Sequence, residues 1–240
     1  FKDGSMNQSS GLLFARGQKN ISITGFGTID GQGGNKTFQF GNDADGGPKR
    51  PKIIYFVECK GIVVTDVTLR NSAYWVQHYE KCEDVTIRGL KVFSHCNYNN
   101  DGLDIDAKNA TISDCYIDVE DDAICFKSDH PEFCENITVT NCVTASNCNA
   151  IKFGTASHGG YRNIAVSNCV VRRAAEDNIR HWSKQLEHIS ADVTVISGVA
   201  IEMVDGGIID GITVSNISMR DVQTPIFIRL GDRHRTYRKE

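Results

Sequence analysis

The chain has 240 residues, a formal net charge of −4 and 23% charged side chains. That length allows one large core, and the balance of charge leaves no basic footprint for nucleic acid. No apolar run approaches the roughly 18 residues that span a membrane as a helix. The chain opens at Phe1 without a start methionine and stops among charged residues. The expectation is a single domain over 1–240 that lacks one or both natural ends, with any leader peptide outside it.

In chain order the sequence repeats. One segment type starts with Asn, Gly or Asp and continues apolar–x–apolar: NISI at 20, GIVV at 61, DVTI at 84, NATI at 109, NITV at 136, NIAV at 163 and GITV at 211. HISADVTV at 188 reads as a degraded member. The second positions step by 41, 23, 25, 27, 27, 25 and 23 residues. A second type interleaves with it: GLLFA at 11, KIIYF at 52, GLDID at 102, AICFK at 123, AIKFG at 150, NIRHW at 178, VAIEM at 199 and PIFIR at 225. Two short strand types per period, no helical periodicity and only four prolines predict an all-β, right-handed parallel β-helix. Ile, Val and Thr fill the strands, and Asn and Gly fill the corners where the chain turns.

The long step holds a Gly-rich polar stretch over 31–51, predicted to protrude as a loop. Nine cysteines, with Cys115, Cys142 and Cys169 spaced by 27 and 27, read as a stacked interior ladder, not as a disulfide scaffold or a metal site. The sequons at Asn20, Asn109, Asn136 and Asn216 are read as products of the repeat, which itself demands Asn, an apolar residue and Ser or Thr.

Stacking turns the second strand type into columns. The column before the strand reads Asp101, Asp122, Asn149, Asp177 and Ser197. The first outward column reads Asp104, Cys125, Lys152, Arg180, Ala200 and Phe227, and the second reads Asp106, Lys127, Gly154, Trp182, Glu202 and Arg229. Asp121 and Asp122 stand together with Asp101 one rung away. Carboxyls this close push one pKa up, so that one stays protonated while another serves as a base. An outward Trp182 is costly unless it stacks on something, and a sugar face is a natural partner.

These residues resemble the polygalacturonase and rhamnogalacturonase family, glycoside hydrolase family 28. GTIDGQG at 27–33, NSAYW at 71–75, NNDGLD at 99–104 and EDDAICFKS at 120–128 resemble its motifs and occur in its order. The resemblance implies inverting hydrolysis of a pectic glycosidic bond without metal or organic cofactor. Asp121 is then the general acid, and Asp101 and Asp122 hold and deprotonate the attacking water.

It also implies substrate contacts from Asn99, Lys127, Asn149, Lys152, His158, Arg180, Trp182 and Glu202. Asn149 stands where the family's polygalacturonases carry histidine. Their Arg-Ile-Lys is read as Arg180 and Trp182 by rung order, or as Ala200 and Glu202 in a rival alignment. The missing cation points to a rhamnogalacturonan-type bacterial member, with rhamnose against Trp182. A monomer acting outside the cell or in the periplasm on a pectic polymer is expected. Two other readings stand beside this one: a pectate-type lyase using Ca²⁺ and an Arg or Lys base, and a non-catalytic glycan-binding β-helix.

Overall fold

The computed structural model describes residues 11–39, 50–175 and 195–234. Eighteen strands lie among them, and every pairing between them is parallel. The fold is a right-handed parallel β-helix. One stack runs through β1 (Gly11–Arg16), β4 (Lys52–Val57), β7 (Gln77–Arg88), β9 (Leu103–Ser113), β11 (Ile124–Ser128), β14 (Asn149–Ser157), β16 (Val195–Met203) and β18 (Val222–Leu230). A second runs through β2 (Lys19–Thr24) and β5 (Lys60–Thr65), the distal half of β7 and of β9, then β12 (Cys134–Thr140), β15 (Gly160–Arg173) and β17 (Ile208–Met219).

A third stack was not expected. It contains β3 (Thr28–Asp30), β6 (Thr68–Arg70), β8 (Lys91–Ser94), β10 (Tyr116–Val119) and β13 (Val143–Ser146), and it continues through the last residues of β15 and of β17. These strands are three or four residues long, too short to show an alternation of their own. The coil is therefore a three-sided prism.

Alternation decides what fills it. Leu103, Ile105, Ile124, Phe126, Ile151 and Phe153 are fully buried, and the Phe126 and Phe153 rings stack with centroids 4.4 Å apart. Ile226 and Ile228 keep the same inward register but are each 65% exposed, since β18 is the last strand of its stack among the described residues. Cys115, Cys142 and Cys169 form the expected buried ladder, each thiol facing the carbonyl two residues before it.

The corners explain the sequons. Asn109, Asn136 and Asn163 have φ of 57°, 57° and 53°, left-handed values that Asn tolerates better than most residues. Each amide donates to the side chain one coil back: Asn109 to Asp84 at 3.2 Å, Asn136 to Asn109 at 3.2 Å and Asn163 to Asn136 at 2.8 Å.

The rung order departs from expectation at one place. Residues 178–182 and 188–194 read as an extra coil, but β14 pairs directly with β16, Ile151 facing Val199 and Lys152 facing Ala200. Ile164 likewise faces Ile212. The physical reason lies in the interior column: NIRHW would place His181 inside, whereas VAIEM places Val199 and Ile201 there. Arg180, Trp182 and the degraded repeat at 188 belong to residues 176–194, which lie outside the described residues.

One outward column alternates in charge: Lys60, Glu83, Lys108, Glu135, Arg162 and Asp210 are successive partners. Lys60 Nζ reaches Glu83 at 2.7 Å, Lys108 reaches Glu135 at 3.7 Å, and Arg162 Nε reaches Glu135 at 2.8 Å. Exposed pairs of this kind contribute only about 0.2–1 kcal/mol each. Glu135→Lys places three cations in a row, and calorimetry at low salt should show a Tm lower by about 2–4 °C. The loss should shrink in high salt, where screening shortens the range of the repulsion.

Candidate active site

The site forms where β9, β11 and β14 begin. The backbone ties the three starts together: Gly102 N–H donates to the Asp122 carbonyl at 2.8 Å, and Ala123 N–H to that of Asn149 at 2.9 Å. The Asp101 carbonyl accepts from Val76 N–H at 2.7 Å, which adds the coil before. Gly102 is required by close approach, because a Cβ there would lie 2.6 Å from the Ala123 carbonyl oxygen. Asn100, fully buried, fixes the loop: its amide donates to the Ser72 and Tyr74 carbonyls and its oxygen accepts from Ser94 Oγ and Asn97 N–H, all at 2.9–3.1 Å. Its role was not read from the sequence; the NNDG run carries it, but nothing in a run of polar residues marks the one that turns inward.

Asp101, Asp121 and Asp122 do converge, together with Asp104. They point away from the prism interior, yet they are only 3%, 4%, 2% and 0% exposed. Asn99 Nδ2 donates to Asp121 Oδ2 at 3.3 Å, and Asp122 N–H donates to Asp121 Oδ1 at 2.9 Å. Asp122 accepts from Asn149 Nδ2 at 2.7 Å and from Lys152 Nζ at 2.9 Å. Lys127 Nζ lies 3.1 Å from Asp104 and 3.7 Å from Asp101. Glu202 joins from β16, 3.7 Å from Lys152 Nζ. His158 sits beyond the far end of β14, where its N–H bonds the Ser128 carbonyl.

The cluster separates the proton affinities of these acids. Burial pushes Asp101 and Asp121 up, reinforced for Asp101 by Asp104 and Asp121 and for Asp121 by Asp122. Burial pushes Asp104 up to about 6 against the pull of Lys127. Asp122 goes the other way: burial opposes ionisation, but Lys152, Lys127 and the Lys152 and Asn149 hydrogen bonds hold it below the usual carboxylate range. Carboxyls of raised and of lowered proton affinity therefore sit side by side, the asymmetry that general acid and general base work on a glycosidic bond requires.

An aromatic wall stands beside the acids in the loop 71–76, between β6 and β7. Trp75 stacks on Tyr74 with centroids 5.2 Å apart and meets His78 edge-on at 5.0 Å. The Lys127 and Lys52 ammonium groups lie 4.6 Å and 5.0 Å from the Trp75 ring centre. Burial lowers Lys52 to about 8. Trp75 lies in the NSAYW motif, but its place beside the acids follows from the β7–β9 register, which the motif alone does not show.

Among the described residues one set of atoms has metal-ligand spacing: an oxygen each of Asp121 and Asp122 and Cys148 Sγ lie within 4.8 Å of one another. Both Asp122 oxygens already accept hydrogen bonds from Asn149 and Lys152. Beside the site Glu80 accepts from Tyr55 Oη and meets His130 Nε2 at 3.2 Å.

Asp106, also buried, is pushed up to about 8 chiefly by that burial. A carboxyl whose pKa folding raises holds its proton more tightly in the folded chain. It therefore weighs against stability as pH climbs from the unfolded value of about 4. Asp106→Asn should raise Tm at about pH 8–9, with the difference fading below about pH 4, where the carboxyl is protonated in the folded and the unfolded chain alike. Thermal melts across pH check this.

The chain thus combines a parallel β-helix with a buried cluster of carboxyls whose proton affinities are split. The chain belongs to the glycosyl hydrolases family 28, whose model matches residues 2–232. It is 32% identical over 138 residues to a probable polygalacturonase of Vitis vinifera, an alignment covering 55% of this chain and 27% of that one. It is 30% identical over 127 residues to a polygalacturonase of Saccharomyces cerevisiae, covering 50% and 34%. The matched segments thus span about a quarter to a third of these curated relatives. In fold it is similar to the family 28 exopolygalacturonase of Yersinia enterocolitica, with TM-score 0.66 and 19% identity over 87% of this chain and 42% of that one. The exopolygalacturonase of Thermotoga maritima gives 0.54 and 22% over 79% and 40%.

Proposed function

We propose that the chain is an inverting glycoside hydrolase acting on a pectic glycosidic bond, with a rhamnogalacturonan-like substrate in preference to plain polygalacturonan. The observation that carries the hydrolase reading is the split cluster: adjacent Asp121 and Asp122, the first shifted up in proton affinity and the second down, with Asp101 one rung away. Asp121 donates its proton to the leaving oxygen. Asp122 takes a proton from the attacking water, and Asp101 helps to hold that water. Asn99 orients Asp121. Trp75 offers the sugar an apolar face. Cleavage of a cell-wall polymer calls for work outside the cytoplasm.

Substrate preference rests on the rung after Lys152. It presents Ala200 and Glu202, and Glu202 faces the Lys152 ammonium. Among the described residues that rung itself carries no cation to grip a uronate, which suits a neutral sugar such as rhamnose. The names of the curated relatives favour polygalacturonan as the second reading.

Asp101→Asn, Asp121→Asn and Asp122→Asn should each lower turnover by at least about 10²-fold, the scale of a lost acid or base, with circular dichroism unchanged. Wild-type turnover in any of them removes that residue from the mechanism. Proton NMR of the first-formed product should show inverted anomeric configuration; retention contradicts the assignment. A side-by-side kcat/KM comparison on rhamnogalacturonan and homogalacturonan decides the substrate, and a wide preference for homogalacturonan overturns the rhamnose subsite.

A further inference from the structure

Lys152 is the first outward residue of β14, between Cys125 one coil before and Ala200 one coil after. Both neighbours are small and fully buried, and among the described residues the column holds no other Lys or Arg. Its ammonium is engaged at both ends: Asp122 Oδ2 at 2.9 Å and Glu202 Oε1 at 3.7 Å, with the lysine side chain 12% exposed. Asn149, three residues earlier on the same strand, donates to the other Asp122 oxygen at 2.7 Å. One strand thus supplies both donors to one carboxylate, a neutral one and a charged one. An ammonium placed to grip a substrate carboxylate would be aimed at open space; this one is aimed at the base.

We propose that Lys152 is a positioning residue for the hydrolysis proposed above: with Asn149 it clamps Asp122 in one orientation and keeps it ionised, and it does not serve as a cation for the substrate. A clamped base loses neither geometry nor charge between turnovers, and charge-assisted hydrogen bonds are about twice as strong as neutral ones.

The field at Asp122 has several sources. Asp121 is adjacent in sequence, Asp101 and Asp104 lie on the β9 side, and Cys125 and Lys127 on β11. Cys148 and Lys152 come from the next coil, and Glu202 stands behind Lys152. Burial and the neighbouring acids oppose ionisation of Asp122, while the Cys148 thiol, which the Asp122 charge keeps protonated, does not. Lys127 is shared with Asp104 and Asp101, which leaves Lys152 as the cation in direct contact with Asp122 among the described residues.

The test uses the full chain with Lys152→Met and Lys152→Arg. Carbon-13 NMR of labelled aspartate carboxyls, with Asp122 identified by its loss in Asp122→Asn, reads the effect without any turnover. Lys152→Met should move the Asp122 titration up by at least about 1 pH unit, and Lys152→Arg should restore it. With pectic oligosaccharide, the acidic limb of the kcat profile should move up by the same amount, and kcat should fall while KM holds.

An unmoved Asp122 titration overturns the proposal. So does a rise in KM with kcat and its acidic limb unchanged, the signature of a substrate cation. Lys152→Gln supplies the same readouts if the methionine variant does not fold. Full activity in Asp122→Asn would sink the hydrolase reading, and the NMR titration would still decide what Lys152 does to Asp122.

Discussion

In-register stacking of parallel coils is the constraint on which this molecule depends. Neighbouring strands lie about 4.8 Å apart, so residues at equivalent positions of successive coils become neighbours whatever their distance in sequence. Leu103 faces Ile124 and Ile124 faces Ile151, and the same ladder carries Asp101 to Asp122 to Asn149. The interior columns supply cohesion, the corners supply the turns, and the outward columns are left free to carry chemistry. The alternating charges of Lys108, Glu135 and Arg162 and the split acids at the site obey one geometric rule with opposite results.

At the site the rule brings like charges together. Four carboxyls within two coils, nearly all withdrawn from water, cannot all ionise. The chain meets this in two ways: Lys127 lies against Asp104 and Asp101, and Lys152 against Asp122. Burial and the Asp122 charge raise the proton affinity of Asp121, and the hydrogen bonds it accepts from Asn99 and from the Asp122 N–H hold it in place. Asymmetry between two adjacent aspartates thus comes from what the next coil presents to each, since residue type and burial are the same for both.

Much of this was legible in the sequence, because a β-helix writes its geometry as a period. The alternation of Leu103, Ile105, Ile124 and Phe126 and the recurring corner residues Asn109, Asn136 and Asn163 sufficed for the architecture. They also sufficed for the outward columns that bring Asp104, Cys125 and Lys152 together. Legibility failed where the period did. The third stack is too short to alternate. Two apolar clusters at 178 and 188 imitated a coil because their steps happened to match one, and only the β14–β16 ladder shows that the next rung is VAIEM. Long side chains were the other blind spot: Lys127 was assigned to the column of Asp106 by register, but its ammonium reaches across to Asp104.

A stack of this kind is nearly one-dimensional, each coil touching only the one before and the one after. On the proposed function, bond cleavage and sugar selection occupy different rungs: the acids sit at the starts of β9 and β11, while Ala200 and Glu202 sit on β16. Exchanging residues on β16 alters what lies beyond Lys152 and leaves the backbone bonds between Gly102 and Asp122 untouched. The scaffold can therefore acquire a new sugar preference through one rung at a time, without rebuilding the machinery that breaks the bond.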